Sequence, residues 1–84
     1  MIALAQALIA AAARLDADAD ELTRLDSLQG DGDLGRTAGL VASALRRALQ
    51  EYPDDSIKLL RACGTEIAAT APSSSGTLIA SAFM

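Results

Sequence analysis

Apolar residues recur at three- and four-residue spacing through every long segment of this chain. No segment alternates apolar with polar residues over β-branched or aromatic side chains. That pattern confines the backbone to helices. Leu4, Leu8 and Ala12, with Ala5 and Ile9, make one stripe on a helix predicted from Ile2 to Arg14. In "LDADADEL", Asp16, Asp18 or Asp20 is suited to N-cap a second, short helix with Glu21 in its first turn. That helix turns Leu22 and Leu25 inward and ends near Asp26. Thr37 to Gln50 is helical again, with Leu40, Val41, Ala44, Leu45, Ala48 and Leu49 on one face and the solvated Arg46 and Arg47 on the other. Pro53 stops it, and Asp55 or Ser56 caps the next helix, Ile57 to Ala71. There Leu60, Cys63 or Gly64, and Ile67 face inward. A last helix begins near Gly76 and carries Leu78, Ile79, Ala82 and Phe83 to the end of the chain. The expected fold class is therefore all-α, four or five helices joined by short loops.

Such a bundle has a thin core. The chain has 84 residues, enough for one domain at most, and a chain this short buries a modest fraction of its surface. Its apolar fraction is 51%, but much of that is alanine, and Tyr52 and Phe83 are the sole aromatics. A partner covering apolar helix faces, or self-association through them, is expected. The sequence stops inside an apolar helix with neither cap nor polar tail, so residues 1–84 read as a domain cut at its C-terminus. The N-terminal run "MIALAQALIAAAARLDA" has no Lys or Arg before it and Gln6 within it, unlike a signal peptide. It also falls short of the roughly 20 residues that span a bilayer. The single Cys63 has no partner for an internal disulfide, which suits a reducing cytoplasm and a buried structural thiol.

Seven basic residues against eleven acidic ones, net charge −4, make a poor footprint for nucleic acid and a better one for a divalent cation. With no His in the chain, imidazole acid–base chemistry and imidazole ligation are both excluded. The negative charge gathers in "LDSLQGDGDLGR", residues 25–36, where glycines punctuate a loop expected over 27–35. Asp31 and Asp33, at i, i+2, project to the same side of an extended stretch. Asp26 meets them only if the chain folds back, which Gly30 and Gly32 make easy. Three convergent carboxylates repel one another unless a cation is present; one or two Mg²⁺ suit them. Gly35, Arg36 and Thr37 then open a helix, where exposed N–H groups and the helix dipole favour phosphate. Ser73, Ser74 and Ser75 precede Gly76 at a second helix start of similar chemistry. Phosphoryl transfer by positioning and charge neutralisation follows from this combination. An EF-hand counted from Asp31 would need Gly and Glu where Arg36 and Ala42 stand, and no Gly-Lys-Ser/Thr triplet supplies a Walker A loop. The plainer reading of residues 26–35 is a polar turn with capping aspartates.

"LTRLDSLQGDGDLGRTAG" followed by "APSSSGTLIASAF" resembles the nucleotide-binding (L) domain of the dihydroxyacetone kinase family, whose motif is L-D-x-x-x-G-D-G/A-D-x-G. The resemblance implies a closed barrel of eight antiparallel helices, of which this chain would form about half, with the nucleotide at one end. It implies Asp26, Asp31 and Asp33 as ligands of two Mg²⁺ ions, and Leu34, Gly35, Arg36, Thr37, Ser74 and Ser75 as contacts of ATP or ADP. It also implies a partner domain or subunit that holds dihydroxyacetone or a related short keto-sugar covalently through a His. Some family members bind ATP in free exchange; others hold ADP that a phosphotransferase protein recharges. Leu34 stands where the family often has His, removing a polar contact, and Ser73 and Ser74 stand where Gly or Ala is common, narrowing the phosphate pocket. By itself such a piece is expected to be inactive. The alternatives are a non-catalytic helical remnant or interaction domain, and a fatty-acid-kinase-like nucleotide domain with a related Asp-Gly-Asp loop.

Overall fold

The computed structural model describes residues 2–28, 30, 32–70 and 74–83, without the side chains of Ile2, Ser74 and Ser75. It is all-α. Helix α1 is Ile2–Asp26, α2 Leu34–Glu51, α3 Ser56–Thr70 and α4 Ser74–Phe83, with no strand among the described residues. At 1.5 Å per residue α1 is roughly 37 Å long. It accounts for most of the 41 Å long axis of the molecule.

The break expected after Arg14 does not occur, and Asp16, Asp18 and Asp20 cap nothing: they lie inside one 25-residue helix. No Gly or Pro occurs between Ile2 and Asp26 to interrupt it. An aspartate inside a helix costs only about 0.7 kcal/mol relative to alanine. Ion pairs offset part of that cost: Arg14 Nε donates to Asp18 Oδ2 at 2.6 Å, one turn away, and Arg46 Nη1 of α2 donates to Asp16 Oδ2 at 2.5 Å. Helix α2 starts three residues before the expected Thr37, so Leu34 and Gly35 belong to helix rather than loop. Its first bond runs from the Thr37 N–H to the Asp33 carbonyl at 3.0 Å. Between the two cap candidates of α3, Asp55 is the cap: its Oδ1 accepts the Lys58 N–H at 3.0 Å. Helix α3 is described to Thr70, the expected last residue Ala71 lying outside the described residues, and α4 begins two residues before Gly76.

Helix α2 is the centre of the packing and touches all three other helices. It buries Gly35, Thr37, Ala38, Val41, Ala42, Ala44, Leu45 and Ala48, with Leu40 and Leu49 packed at the margin. The face expected from the sequence is therefore the buried one. Burying Val41 and Leu45 contributes about 1.5–3 kcal/mol each, whereas the alanines mainly let neighbouring helices come close. Helix α1 runs antiparallel to α2. Gly35 faces Thr23 and Ala19 near one end, and Arg46 reaches Asp16 further along. Helix α3 runs antiparallel to α2 in turn, and Arg47 Nε donates to Glu66 Oε2 at 2.9 Å across that contact.

Several inward assignments shift by one position. On α3 the buried row is Leu59, Cys63 and Ile67, spaced by four, while Leu60, a helical step of about 100° away, is 37% exposed. Gly64 is buried beside that row. On α1, Leu8 and Ala12 are buried as expected, but Ile9 turns to solvent, as does Leu25, while Leu22 is half-buried. On α4 the inward row is Gly76, Ile79, Ala80 and Phe83; Leu78, at 73% exposure, and Ala82 point away. Among the described residues no helix is long and apolar enough to cross a membrane.

Candidate functional site at the aspartate loop

The last four carbonyls of α1 have no helical partner of their own, and the loop that follows satisfies all four. The Ser27 N–H donates to Thr23 O at 2.9 Å, Ser27 Oγ to Arg24 O at 2.8 Å, the Leu28 N–H to Leu25 O at 3.3 Å and the Gly30 N–H to Asp26 O at 2.6 Å. These bonds reverse the chain tightly. Gly32 continues the reversal with φ +79°, a left-handed conformation that glycine adopts without strain. A Cβ at Gly30 would lie 2.8 Å from Asp26 Oδ1 and 3.2 Å from the Asp26 carbonyl oxygen, so a side chain there would push the Asp26 carboxylate out of its present position.

The reversal delivers Asp26 to the start of α2. Its Oδ2 accepts the Leu34 N–H at 3.3 Å, at the positive end of the helix dipole. The fold-back expected from Gly30 and Gly32 is thus present, and it places Asp26 next to the residue that follows Asp33. Asp33 holds the N-cap position of α2, with φ −95° and ψ 0°, and its exposed side chain does not cap its own helix. Asp31, the remaining expected ligand, lies outside the described residues. Among the described residues no three acidic or thiol side chains gather around one point.

The expected phosphate contacts divide by orientation. Gly35 and Thr37 are buried, Thr37 at 5% exposure, and Leu34 is half-buried. Arg36 is exposed and takes no carboxylate partner among the described residues. The Gly35 and Arg36 N–H groups have no acceptor among the described residues, as first-turn donors commonly do not. Ser74 and Ser75 form the first turn of α4, their side chains lying outside the described set, as does Ser73 entirely. Antiparallel packing of α3 on α2 brings the start of α4 to the same end of the bundle as the start of α2.

Sequence reading missed Thr23. This half-buried residue faces Gly35 across the α1–α2 contact, and a Cβ at Gly35 would overlap both its hydroxyl and the Ala19 carbonyl. Gly35 is therefore the notch into which α1 fits, and that fit sets the spacing between Asp26 and the first turn of α2. Nothing local in the sequence marks Thr23, because its partner belongs to another helix.

Comparison with protein-family models, with curated proteins and with solved structures finds no match to this chain.

Proposed function

We propose that this chain is the Mg²⁺–nucleotide-binding part of a kinase that phosphorylates dihydroxyacetone or a related short keto-sugar. The observation that carries the reading is the return of the Asp26 carboxylate to the first N–H of α2, through a reversal built on Gly30 and Gly32. That return brings one carboxylate of the L-D-x-x-x-G-D-G-D motif beside the backbone of another. Asp26, Asp31 and Asp33 would hold Mg²⁺, two ions being expected. The donors suit the metal: they are carboxylate oxygens, and the one thiol, Cys63, is buried in the core away from them. When bound, the metal neutralises the nucleotide phosphates.

In this reading Leu34, Gly35, Arg36 and Thr37, with Ser74 and Ser75, contact ATP or ADP. The Gly35 and Arg36 N–H groups, which have no acceptor among the described residues, and the exposed Arg36 guanidinium would be the donors for phosphate oxygens. The chain has no His, so the keto-sugar is held by a partner domain or subunit that carries the covalent His. The four helices correspond to about half of an eight-helix up-down barrel, and residues 1–84 alone complete no turnover.

Calorimetry of ADP and ATP binding, with and without Mg²⁺, tests the proposal on this chain and on Asp31→Ala. Binding that requires Mg²⁺ and disappears in the variant is expected. Identical heats for the two proteins would reject the aspartate loop as the site and leave it a structural turn.

A further inference from the structure

At the other end of α2, where α3 begins, a groove of about 350 Å³ lies between Tyr52 and the outer side of α3. It is remote from the aspartate loop, because α2 extends roughly 27 Å between them at 1.5 Å per residue.

Four charged side chains line this groove. Glu66 is engaged, accepting from Arg47 Nε at 2.9 Å, and Glu51 stands beside the Tyr52 phenol, whose pKa it raises above the ordinary value. Lys58 and Arg61 have no carboxylate partner among the described residues, whereas Arg14, Arg24, Arg46 and Arg47 each have one. The nearby Asp55 is committed to capping α3 through the Lys58 N–H. Lys58 also stands in the first turn of α3, where the helix dipole disfavours a cation.

The unused capacity of the groove is thus donation from positive groups. Lys58 and Arg61 at i, i+3, and Thr65 four residues on, share one side of α3. They offer an ammonium, a guanidinium fork and a hydroxyl. Tyr52 and Ala62 add apolar wall. A ligand that satisfies these donors must bring several acceptors and negative charge.

We infer that this groove binds a phosphate monoester, its oxygens on Lys58, Arg61 and Thr65 and its organic body against Tyr52 and Ala62. A tetrahedral oxyanion takes donors from three directions at once, which a single planar carboxylate does less well. The inference does not depend on nucleotide binding at the aspartate loop.

Phenyl phosphate is the probe. It is titrated into the full 84-residue chain at constant ionic strength with EDTA present, so that no divalent cation contributes. The readout is the ¹H–¹⁵N spectrum, including the Arg61 Nε–Hε resonance. Saturable shifts at Tyr52, Lys58, Arg61 and Thr65, without shifts at Asp33 to Thr37, are expected. Inorganic phosphate is expected to bind more weakly at the same residues. The double variant Lys58→Gln/Arg61→Gln changes only exposed side chains and should keep the native spectrum. Its dissociation constant should rise by roughly tenfold or more, since both charge-assisted bonds are lost. If the double variant loses its fold, Arg61→Gln alone serves, with the same direction of change expected. Shifts that grow without saturating, that chloride reproduces, or that persist unchanged in the folded variant would overturn the inference.

Discussion

Two glycines of α2, Gly35 and Gly39, give opposite predictions for the same substitution. At Gly35 an added methyl would lie 3.0 Å from Thr23 Cβ and nearer still to Thr23 Oγ1 and the Ala19 carbonyl. The threonine can rotate, but the carbonyl belongs to the α1 backbone, so the helices must separate to ordinary contact distance. Overpacking of this kind costs about 1–3 kcal/mol. The gain in helix propensity from Gly to Ala, at most about 1 kcal/mol, is smaller in a first turn, where few helical bonds have formed. The net expectation for Gly35→Ala is a loss of about 1–2 kcal/mol, which in a domain of this size lowers Tm by roughly 4–15 °C. At Gly39 an added Cβ meets nothing within 4 Å, so Gly39→Ala should stabilise by up to about 1 kcal/mol. Urea and thermal unfolding followed by circular dichroism measure both. A Gly35→Ala protein as stable as the parent, or a Gly39→Ala protein that falls with it, would refute the close α1–α2 approach. The same separation would lengthen the bond from Leu34 N–H to Asp26, so under the proposed function Mg²⁺–nucleotide binding should weaken in Gly35→Ala along with the stability.

Asp55→Ala removes the cap of α3 and should cost about 1 kcal/mol, with Asp55→Asn retaining most of it, read as a shift of the urea midpoint at constant slope. Burial pushes the Cys63 thiol up, which stabilises the fold at low pH, where the thiol is neutral in both states. That contribution should fade as pH rises past the free-thiol value of about 8.5 and toward the higher folded-state value. Unfolding free energy measured from pH 7 to 10 should therefore decline less steeply in Cys63→Ala than in the parent, and an unchanged slope would contradict the assignment. Alkylation of Cys63 should be slow in buffer and fast in urea.

The inward face of α2 was legible because its apolar spacing persists over more than three turns, and the turn before α3 because Pro53 and Asp55 act on their immediate neighbours. The aspartates of α1 were misread because the residue types that cap helices also tolerate a solvated helical surface. What decides between these roles is partly a partner far along the chain: Arg46, thirty positions from Asp16. The sequence pattern turns Leu60 inward where the structure buries Leu59, because in an alanine-rich pattern either position completes a plausible stripe; only the packing against α2 and α4 separates them. At the candidate site, the chain reversal followed from Gly30 and Gly32, which act locally. The burial of Gly35 and Thr37 did not, since it depends on how α1 lies against them.

The alanines of α2 have a further consequence. Ala38 and Ala42, and likewise Ala44 and Ala48, are one helical turn apart, so sliding a neighbour by about 5.4 Å would present alanine where alanine already was. A contact face so nearly periodic is smooth along its axis and encodes position poorly. The features that do encode it stand apart from the alanines: the notch at Gly35, and two consecutive arginines that reach in different directions, Arg46 to α1 and Arg47 to α3. Because they are adjacent in the chain, a slip of α2 breaks both grips together. In this bundle the apolar surface supplies cohesion, while the vernier that fixes where each helix stops lies in a missing methyl and a pair of surface charges.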